Sequence, residues 1–300
     1  AGQILVAPPD HHLFVEDSRV LLTRGARENG HRPAVDVLFR SAARARGANV
    51  ISVVLSGVLD DGTAGAVAVR QHRGLVLVQH PEDASYPAMP ESVLAHLEPD
   101  YLAGAAELGL LIDKLCRAGA DGDQAARPPA EHPPPGHLPP ADLIDTELGM
   151  ARLSDEAHDP PDRPGSPSGF SCPDCAGTLF EFSDGTLTRY RCRVGHAWSP
   201  GSLLGEQALQ LEGALWMALR SLEEKASLAR QLAGRAETRG SQLSAGRFAA
   251  QAEDATRAAR LIRRLLESAP SETGAETSPY PSSETSSDTS RVSTAEADGY

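Results

Sequence analysis

Two pairs of potential metal ligands constrain this chain more than any other feature of its sequence. Cys172 and Cys175 are separated by two residues, and after sixteen further residues comes Cys192, with His196 four positions later. Two such pairs on tight turns, joined by a short hairpin, can surround one Zn²⁺ ion with four ligands. No coordination position is left open. The spacing therefore predicts a structural zinc ion in a segment that depends on its metal to fold.

A simpler interpretation treats these four residues as unpaired thiols and a surface histidine. The fourth cysteine, Cys116, lies far from the others in an apolar helical stretch, and we expect it to be a small buried hydrophobic side chain. Cysteines in metal-ligand spacing, rather than in a disulfide framework, indicate the cytoplasm.

Charge and hydropathy argue against two classes of partner. The formal net charge of −13 opposes a general affinity for nucleic acid or anionic membrane. No apolar run approaches the roughly 20 residues needed to cross a bilayer, and no signal peptide opens the chain. Arg189, Arg191 and Arg193 lie beside the metal ligands, where we expect a solvated face. A nucleic-acid contact is the weaker alternative.

Composition divides the chain into five segments: residues 1–116, 117–168, 169–200, 201–268 and 269–300. The first alternates apolar runs with helical patterns, and the second is a proline-rich linker. The third carries the Cys/His pairs, the fourth is helical, and the last is a Ser/Thr-rich tail that we expect to be disordered. Inside the linker, residues 142–154 are consistent either with a helix or with a segment docked on a neighbour.

The first segment predicts a parallel sheet. Residues 50–55 and 75–78 are apolar runs rich in β-branched side chains, and residues 63–71 between them have helical spacing. A strand, a helix and a strand within about 30 residues are typical of a parallel βαβ unit. The remaining patterns predict a strand at residues 4–7, a hairpin at residues 14–22, and helices at residues 34–45, 90–97 and 107–115.

The fourth segment predicts an α-helical hairpin or coiled coil that breaks at Gly240. Each half has one apolar seam with steps of three and four residues. The two seams comprise Leu204, Ala208, Leu211, Leu215, Ala218 and Leu222, and then Phe248, Ala252, Ala255, Ala259, Ile262 and Leu266. Such a hairpin is suited to binding a protein partner or a second copy of the chain.

A turn with two aspartates follows the first predicted parallel strand. The strand ends at Ser56, and Asp60 and Asp61 precede the next helix, so the simplest interpretation makes Asp61 an N-cap. Catalytic groups, however, collect at the carboxyl ends of parallel strands. A carboxylate at a helix N-terminus is expected to stay ionised, which suits it to orient a histidine in a Ser-His-Asp triad.

Four blocks together resemble the CheB-type protein-glutamate methylesterase domain: residues 6–13, 29–41, 55–65 and 86–90. The resemblance covers residues 1–113, and the attached Cys/His ribbon and helices resemble a known variety of the family, to about residue 268. It implies a doubly wound, mostly parallel α/β sheet, here incomplete, followed by a small zinc ribbon and a helical hairpin. The implied activity is hydrolysis of glutamyl methyl esters on chemoreceptors or on another methylated protein.

The resemblance assigns roles to two residues of the turn. Asp61 matches the triad aspartate, and Val58 matches a position near the oxyanion site. The family's serine and histidine precede the matched region and are absent from this chain. Ser56 and His80 end strands but lack the context of a nucleophile elbow. The other candidates, His11, His12 and His31, are expected to be structural or to line a groove.

These observations lead to competing hypotheses. The first is a fragment of a methylesterase that is inactive by itself because it lacks the serine and the histidine. The alternative is a non-catalytic, zinc-stabilised interaction or regulatory protein derived from that family. A third and weaker hypothesis makes the ribbon a nucleic-acid module.

Overall fold

The structure is a computed structural model that describes residues 2–120, 141–153, 165–184 and 187–268. The chain forms two compact units, residues 1–214 and residues 215–300. The predicted disordered tail and most of the predicted linker lie outside the described residues.

The first unit opens with a β-hairpin. Strands β1 (His12–Glu16) and β2 (Arg19–Thr23) pair antiparallel, as the sequence predicts. The predicted strand at residues 4–7 is wrong, because these residues form no strand and Ile4 is 94% exposed. A strand needs a neighbour to satisfy its backbone hydrogen bonds, and this segment has none among the described residues.

A three-stranded parallel sheet follows, with helices against both of its faces. Its strands lie in the order β3 (Ile51–Val54), β4 (Leu75–Gln79), β5 (Tyr101–Ala103). The helices of this region are α1 (Val35–Arg46), α2 (Thr63–Gln71), α3 (Ala88–His96) and α4 (Ala105–Ala120).

Alternation along β4 explains how both faces are covered. Val76 and Val78 pack with α1, α2 and α3, whereas Leu75 and Leu77 pack with Leu108 of α4. A strand buried on both faces is a nearly continuous apolar run, which is what the sequence displays. The predicted parallel α/β sheet is therefore confirmed.

A helix also forms inside the predicted linker. Helix α5 (Ala141–Ala151) places Ile144 and Leu148 against Phe14 of β1 and Val37 of α1. Both alternatives for this segment therefore hold, since it is helical and it docks on a neighbour.

The Cys/His segment is a four-stranded antiparallel sheet. Its strands lie in the order β6 (Ser166–Ser171), β7 (Thr178–Asp184), β8 (Leu187–Cys192), β9 (Ala197–Trp198). Leu179, Trp198 and Leu203 form a small core with two of the cysteines.

Two long helices complete the described chain, α6 (Pro200–Thr238) and α7 (Gln242–Ser268), on either side of Gly240. In the second unit Arg263 of α7 pairs with Glu223 of α6. The side chains of these helices that are buried in this unit are mostly alanines: Leu219, Ala226, Ala229, Ala233, Ala236, Ala245, Ala252, Ala255 and Ala259.

The predicted seam of the first helix is wrong at its start, because Leu204 and Leu211 are 67% and 62% exposed. Neither α6 nor α7, nor any other helix in the described parts of the chain, is both long enough and apolar enough to span a membrane.

Five buried charged residues join four parts of the first unit. Glu28, Arg40 of α1, Glu147 of α5, and Arg189 and Arg191 of β8 are all less than 10% exposed. Arg40 pairs with Glu28, while Arg191 Nη2 lies 3.1 Å from Glu28 Oε1 and 3.0 Å from Glu147 Oε1. Arg189 Nη1 lies 2.9 Å from Glu147 Oε1. We call these five residues the buried charge network.

The network corrects the prediction that the arginines form a solvated face, which holds only for exposed Arg193. Burial would raise the pKa of Glu28, but Arg40 and Arg191 lower it to about 2. Burial opposes ionisation of Glu147 too, and its arginine partners bring its pKa below the usual value. Buried charges persist only when each has such a partner.

We predict that Glu147→Gln destabilises the first unit by about 3–5 kcal/mol, because it leaves buried guanidinium groups without their counter-charge. Urea unfolding measures the change. The matched control is Asp145→Asn on the same helix, since Asp145 makes an exposed pair with Arg44 and its loss should cost less than about 1 kcal/mol. Equal effects of the two substitutions would contradict the stabilising role of the network.

Candidate active-site turn and metal centre

The turn that carries Asp61 lies at the carboxyl end of β3. The start of α3 and the loop before it hold the turn by two backbone hydrogen bonds: Gly57 N–H donates to Tyr86 O at 2.9 Å, and Met89 N–H donates to Gly57 O at 3.0 Å. Leu59 and Gly62 have positive φ angles of 61° and 94°. This backbone directs Asp61 inward, where it is 8% exposed.

Asp61 caps a helix, but not the one that follows it. Its carboxylate accepts hydrogen bonds from Val35 N–H at 2.8 Å and from Asp36 N–H at 3.1 Å, which belong to the first turn of α1. In exchange, Asp36 accepts a hydrogen bond from Gly65 N–H of α2 at 2.7 Å. The two aspartates therefore cap each other's helices, and we call this arrangement the reciprocal cap.

Burial changes the protonation expected for the reciprocal cap. It raises the pKa of Asp61, and the nearby Asp36 carboxylate raises it further. The pKa of Asp36 is also raised, first by its own burial and then by the nearby Glu28 carboxylate. The backbone hydrogen bonds from α1 act in the opposite direction but are outweighed, whereas the position at a helix N-terminus led us to expect an ionised Asp61. Two buried carboxylates this close do not both ionise readily.

The other polar residues of this region have local partners. Ser56 Oγ accepts a hydrogen bond from Tyr86 N–H at 2.9 Å, and His80 Nδ1 accepts one from Glu82 N–H at 3.3 Å. His12 is fully buried, with Nδ1 accepting from Ala34 N–H and Nε2 donating to Ala26 O, each at 3.1 Å. Val58 is 58% exposed on the turn.

The structure also brings the four predicted metal ligands together. Cys192 Sγ lies 3.6 Å from Cys175 Sγ and 3.5 Å from His196 Nδ1, and Cys172 Sγ lies 3.7 Å from His196 Nδ1. All four ligand atoms lie within 4.8 Å of one another. A tetrahedron with Zn–S of about 2.3 Å and Zn–N of about 2.0 Å has edges of roughly 3.5–3.8 Å. These three separations have the length of tetrahedron edges, and three thiols with one imidazole are a donor set that zinc accepts.

Tight turns orient these ligands, as the predicted pairs require. Ala176 N–H donates to Cys172 O at 2.8 Å, and Gly195 N–H donates to Cys192 O at 3.1 Å. His196 Nε2 lies 3.9 Å from Asp174 Oδ2. A carboxylate on that side of the ring favours a proton on Nε2 and leaves Nδ1 free to bind metal.

Cys116 differs from its prediction. It is an exposed residue of α4, because that helix turns Leu108 and Leu115 toward the sheet and its next residue away from it.

Sequence reasoning missed several residues that surround the turn. Asp36 partners Asp61, Ser199 connects the turn to the ribbon, and Asn29 connects the ribbon to the loop before α1. Asp36 lies within a block that carries the family resemblance, but nothing in its spacing connects it to a residue 25 positions away. Ser199 follows the last metal ligand and resembles an ordinary helix cap.

Comparison with known proteins finds a similarity over the first part of the chain. Residues 1–112 match the family model described as CheB methylesterase. The chain is 41% identical over 130 residues to protein-glutamate methylesterase/protein-glutamine glutaminase 2 of Pseudomonas aeruginosa, covering 42% of this chain and 35% of that protein. It is 34% identical over 116 residues to a putative enzyme of the same name from Leptospira interrogans, covering 38% of this chain and 60% of the relative.

Among solved structures, the CheB methylesterase catalytic domain of Thermotoga maritima matches with a TM-score of 0.35 and 31% identity, over 36% of this chain and 59% of that one. The chain thus spans between about a third and three fifths of the length of these relatives. The family match ends before α5, the ribbon and the two long helices. Residues 1–112 therefore match the CheB methylesterase family model, as the four sequence blocks predict.

Proposed function

We propose that this chain is part of a chemotaxis-type protein-glutamate methylesterase and that Asp61 is the aspartate of its Ser-His-Asp triad. The observation that carries the proposal is the match of residues 1–112, in which Asp61 is a buried carboxylate at the carboxyl end of a parallel strand. Ligand-binding and catalytic groups of open α/β sheets collect at that edge.

The chemistry follows from the roles in such a triad. A serine attacks the glutamyl ester carbonyl, a histidine takes the serine proton and passes it to the leaving methanol, and water then releases the acid. Asp61 orients the histidine and stabilises its imidazolium form. The backbone N–H of Val58 lies in the turn that we assign to the oxyanion. The serine and the histidine precede the matched blocks in the family pattern and are not residues of this chain.

The proposed substrate is a methylated chemoreceptor or another protein with glutamyl methyl esters. The relatives are named protein-glutamate methylesterase and protein-glutamine glutaminase, and both activities release a small group from a glutamyl side chain. The free cysteines fit a cytoplasmic protein. We also propose that residues 201–268 form a helical hairpin that binds a protein partner or a second copy of the chain.

The reciprocal cap favours a second candidate function. Both oxygens of the Asp61 carboxylate accept hydrogen bonds from α1, so this residue has a complete structural role without a histidine. A non-catalytic, zinc-stabilised interaction protein would keep Asp61 for this reason alone.

The test of the catalytic proposal is methanol release from a methylated chemoreceptor fragment. In the protein encoded by the complete reading frame that contains this chain, Asp61→Asn should lower kcat by about 10⁴-fold, because the histidine loses its orienting carboxylate. Asp113→Asn, at an exposed position of α4, is the control and should have no effect. The 300-residue chain by itself should release no methanol. A reading-frame protein that is inactive, or indifferent to Asp61→Asn, would support the non-catalytic alternative.

The buried position of Asp61 makes stability depend on pH. Because its pKa is raised above the ordinary 3.8, the folded chain holds this proton more tightly than the unfolded chain. Its contribution to stability is complete below about pH 4 and is lost as pH rises through the folded pKa. We predict that the difference in the free energy of unfolding, native chain minus Asp61→Asn, decreases as the pH rises from about 4 to about 8.

Urea unfolding across this pH range measures the difference. Glu28 and Glu147 are present in both proteins, so the stability they lose in acid cancels. A difference that is flat or rises with pH for Asp61→Asn would contradict the raised pKa.

We propose further that Cys172, Cys175, Cys192 and His196 bind one structural zinc ion. The support is the match between their separations and a zinc tetrahedron. With four protein ligands the ion has no open position for substrate, so its contribution is to folding.

The purified chain should contain about one zinc ion per molecule by elemental analysis, and a chelator should lower the unfolding temperature of the first unit. Cys192→Ser should lose the metal, since it removes a thiolate ligand. Cys116→Ser should keep it, because Cys116 is exposed on α4 and remote in sequence from the ligands. A Cys192→Ser protein with full zinc content would contradict the proposal.

A further inference from the structure

We propose that the Cys/His ribbon supplies positioning residues to the turn that carries Asp61, with Ser199 foremost, so that metal occupancy controls the order of this turn. The proposal rests on the zinc centre proposed above. It adds residues from outside the matched CheB segment to the candidate active site, and all of them belong to the first unit.

Backbone hydrogen bonds connect the residue after the last metal ligand to the methylesterase-like segment. Directly after His196, Ala197 N–H donates to Arg27 O at 3.2 Å, and Asn29 N–H donates to Ala197 O at 2.8 Å. This pairing extends the ribbon backbone onto the loop before α1. The residue directly after the metal ligand His196 is therefore hydrogen-bonded to that loop on both sides of its peptide backbone.

Ser199 connects the ribbon directly to the turn that carries Asp61. Its hydroxyl donates to Asp60 Oδ2, and its N–H donates to Asn29 Oδ1 at 2.9 Å. The Asn29 oxygen also accepts a hydrogen bond from Ser202 Oγ at 2.9 Å. Asp60 immediately precedes Asp61, so a residue three positions after a metal ligand binds the neighbour of the proposed catalytic aspartate.

Arg191 gives a second connection from the same ligand pair. Its Nη1 donates to Gly195 O at 2.7 Å, inside the turn between Cys192 and His196. Its Nη2 reaches Glu28 Oε1 at 3.1 Å, one residue before Asn29. The metal-binding turn is thus connected to the loop at residues 27–29 by backbone pairing and by a buried ion pair.

A cavity of about 250 Å³ lies between the turn and the ribbon, and its lining includes Asp60, Thr63, Trp198 and Ser199. The hydrogen bond from the Ser199 hydroxyl to Asp60 joins the turn to the ribbon beside this cavity. Loss of the metal removes the constraint on the Cys192–His196 turn, and with it the fixed position of Ser199.

Hydrogen exchange tests the metal dependence on the full 300-residue chain. Removing zinc with a chelator should speed amide exchange in residues 57–65 and 26–31 by about tenfold, the effect of one lost hydrogen bond. Exchange in α7, which lies in the second unit, should not change and serves as the internal reference.

Three variants test the role of the Ser199 hydroxyl in the zinc-loaded chain. Ser199→Ala should speed exchange in residues 57–65 by about tenfold, whereas Ser199→Thr, which retains the hydroxyl, should restore slow exchange. Because Ser199 also caps α6, Asp60→Ala removes the same contact from the opposite side and leaves the cap intact. It should reproduce the effect on the turn without speeding exchange in α6. Zinc content should stay at one ion in all three.

The outcomes separate this proposal from the zinc centre itself. Bound zinc whose removal leaves exchange in residues 57–65 unchanged would overturn the coupling and leave the metal centre standing. A chain that binds no zinc would overturn both. Unchanged exchange in Ser199→Ala and Asp60→Ala would exclude Ser199 as a positioning residue.

Discussion

The first unit depends on the neutralisation of buried charge by residues from separate segments. Three arginines and two glutamates of the buried charge network come from the loop before α1, from α1, from α5 and from β8. A buried guanidinium group without a carboxylate costs several kcal/mol. Residues that are more than 100 positions apart must therefore come together when the chain folds. The ribbon and the methylesterase-like segment form one compact unit for this reason.

The requirement that buried polar groups have partners also governs the turn at Asp61. Helices α1 and α2 each begin with backbone N–H groups that need acceptors, and each takes one from an aspartate of the other region. This exchange locks the two helix N-termini together and buries both carboxylates. It also raises the pKa of Asp61, because burial disfavours the ionised carboxylate.

Local patterns predicted much of the fold. Apolar runs located β3 and β4, helical spacing located α1, α2 and α4, and the polar residues 16–18 between two apolar runs located the first hairpin. The strand predicted at residues 4–7 failed because a strand exists only with a neighbour to pair with. The interpretation of Arg189 and Arg191 failed because their counter-charges lie on other elements, where no spacing along the chain reveals them.

The sequence by itself determined the parallel α/β class, the CheB resemblance and the identity of four residues able to bind zinc, since each depends on local spacing or on motif blocks. Tertiary structure alone decided that Asp61 caps α1 instead of α2, that Asp36 is its partner, and that Ser199 reaches Asp60. The physical reason is that hydrogen bonds and ion pairs between distant segments form wherever folding brings donors and acceptors together. Such contacts have no characteristic spacing along the sequence from which they could be predicted.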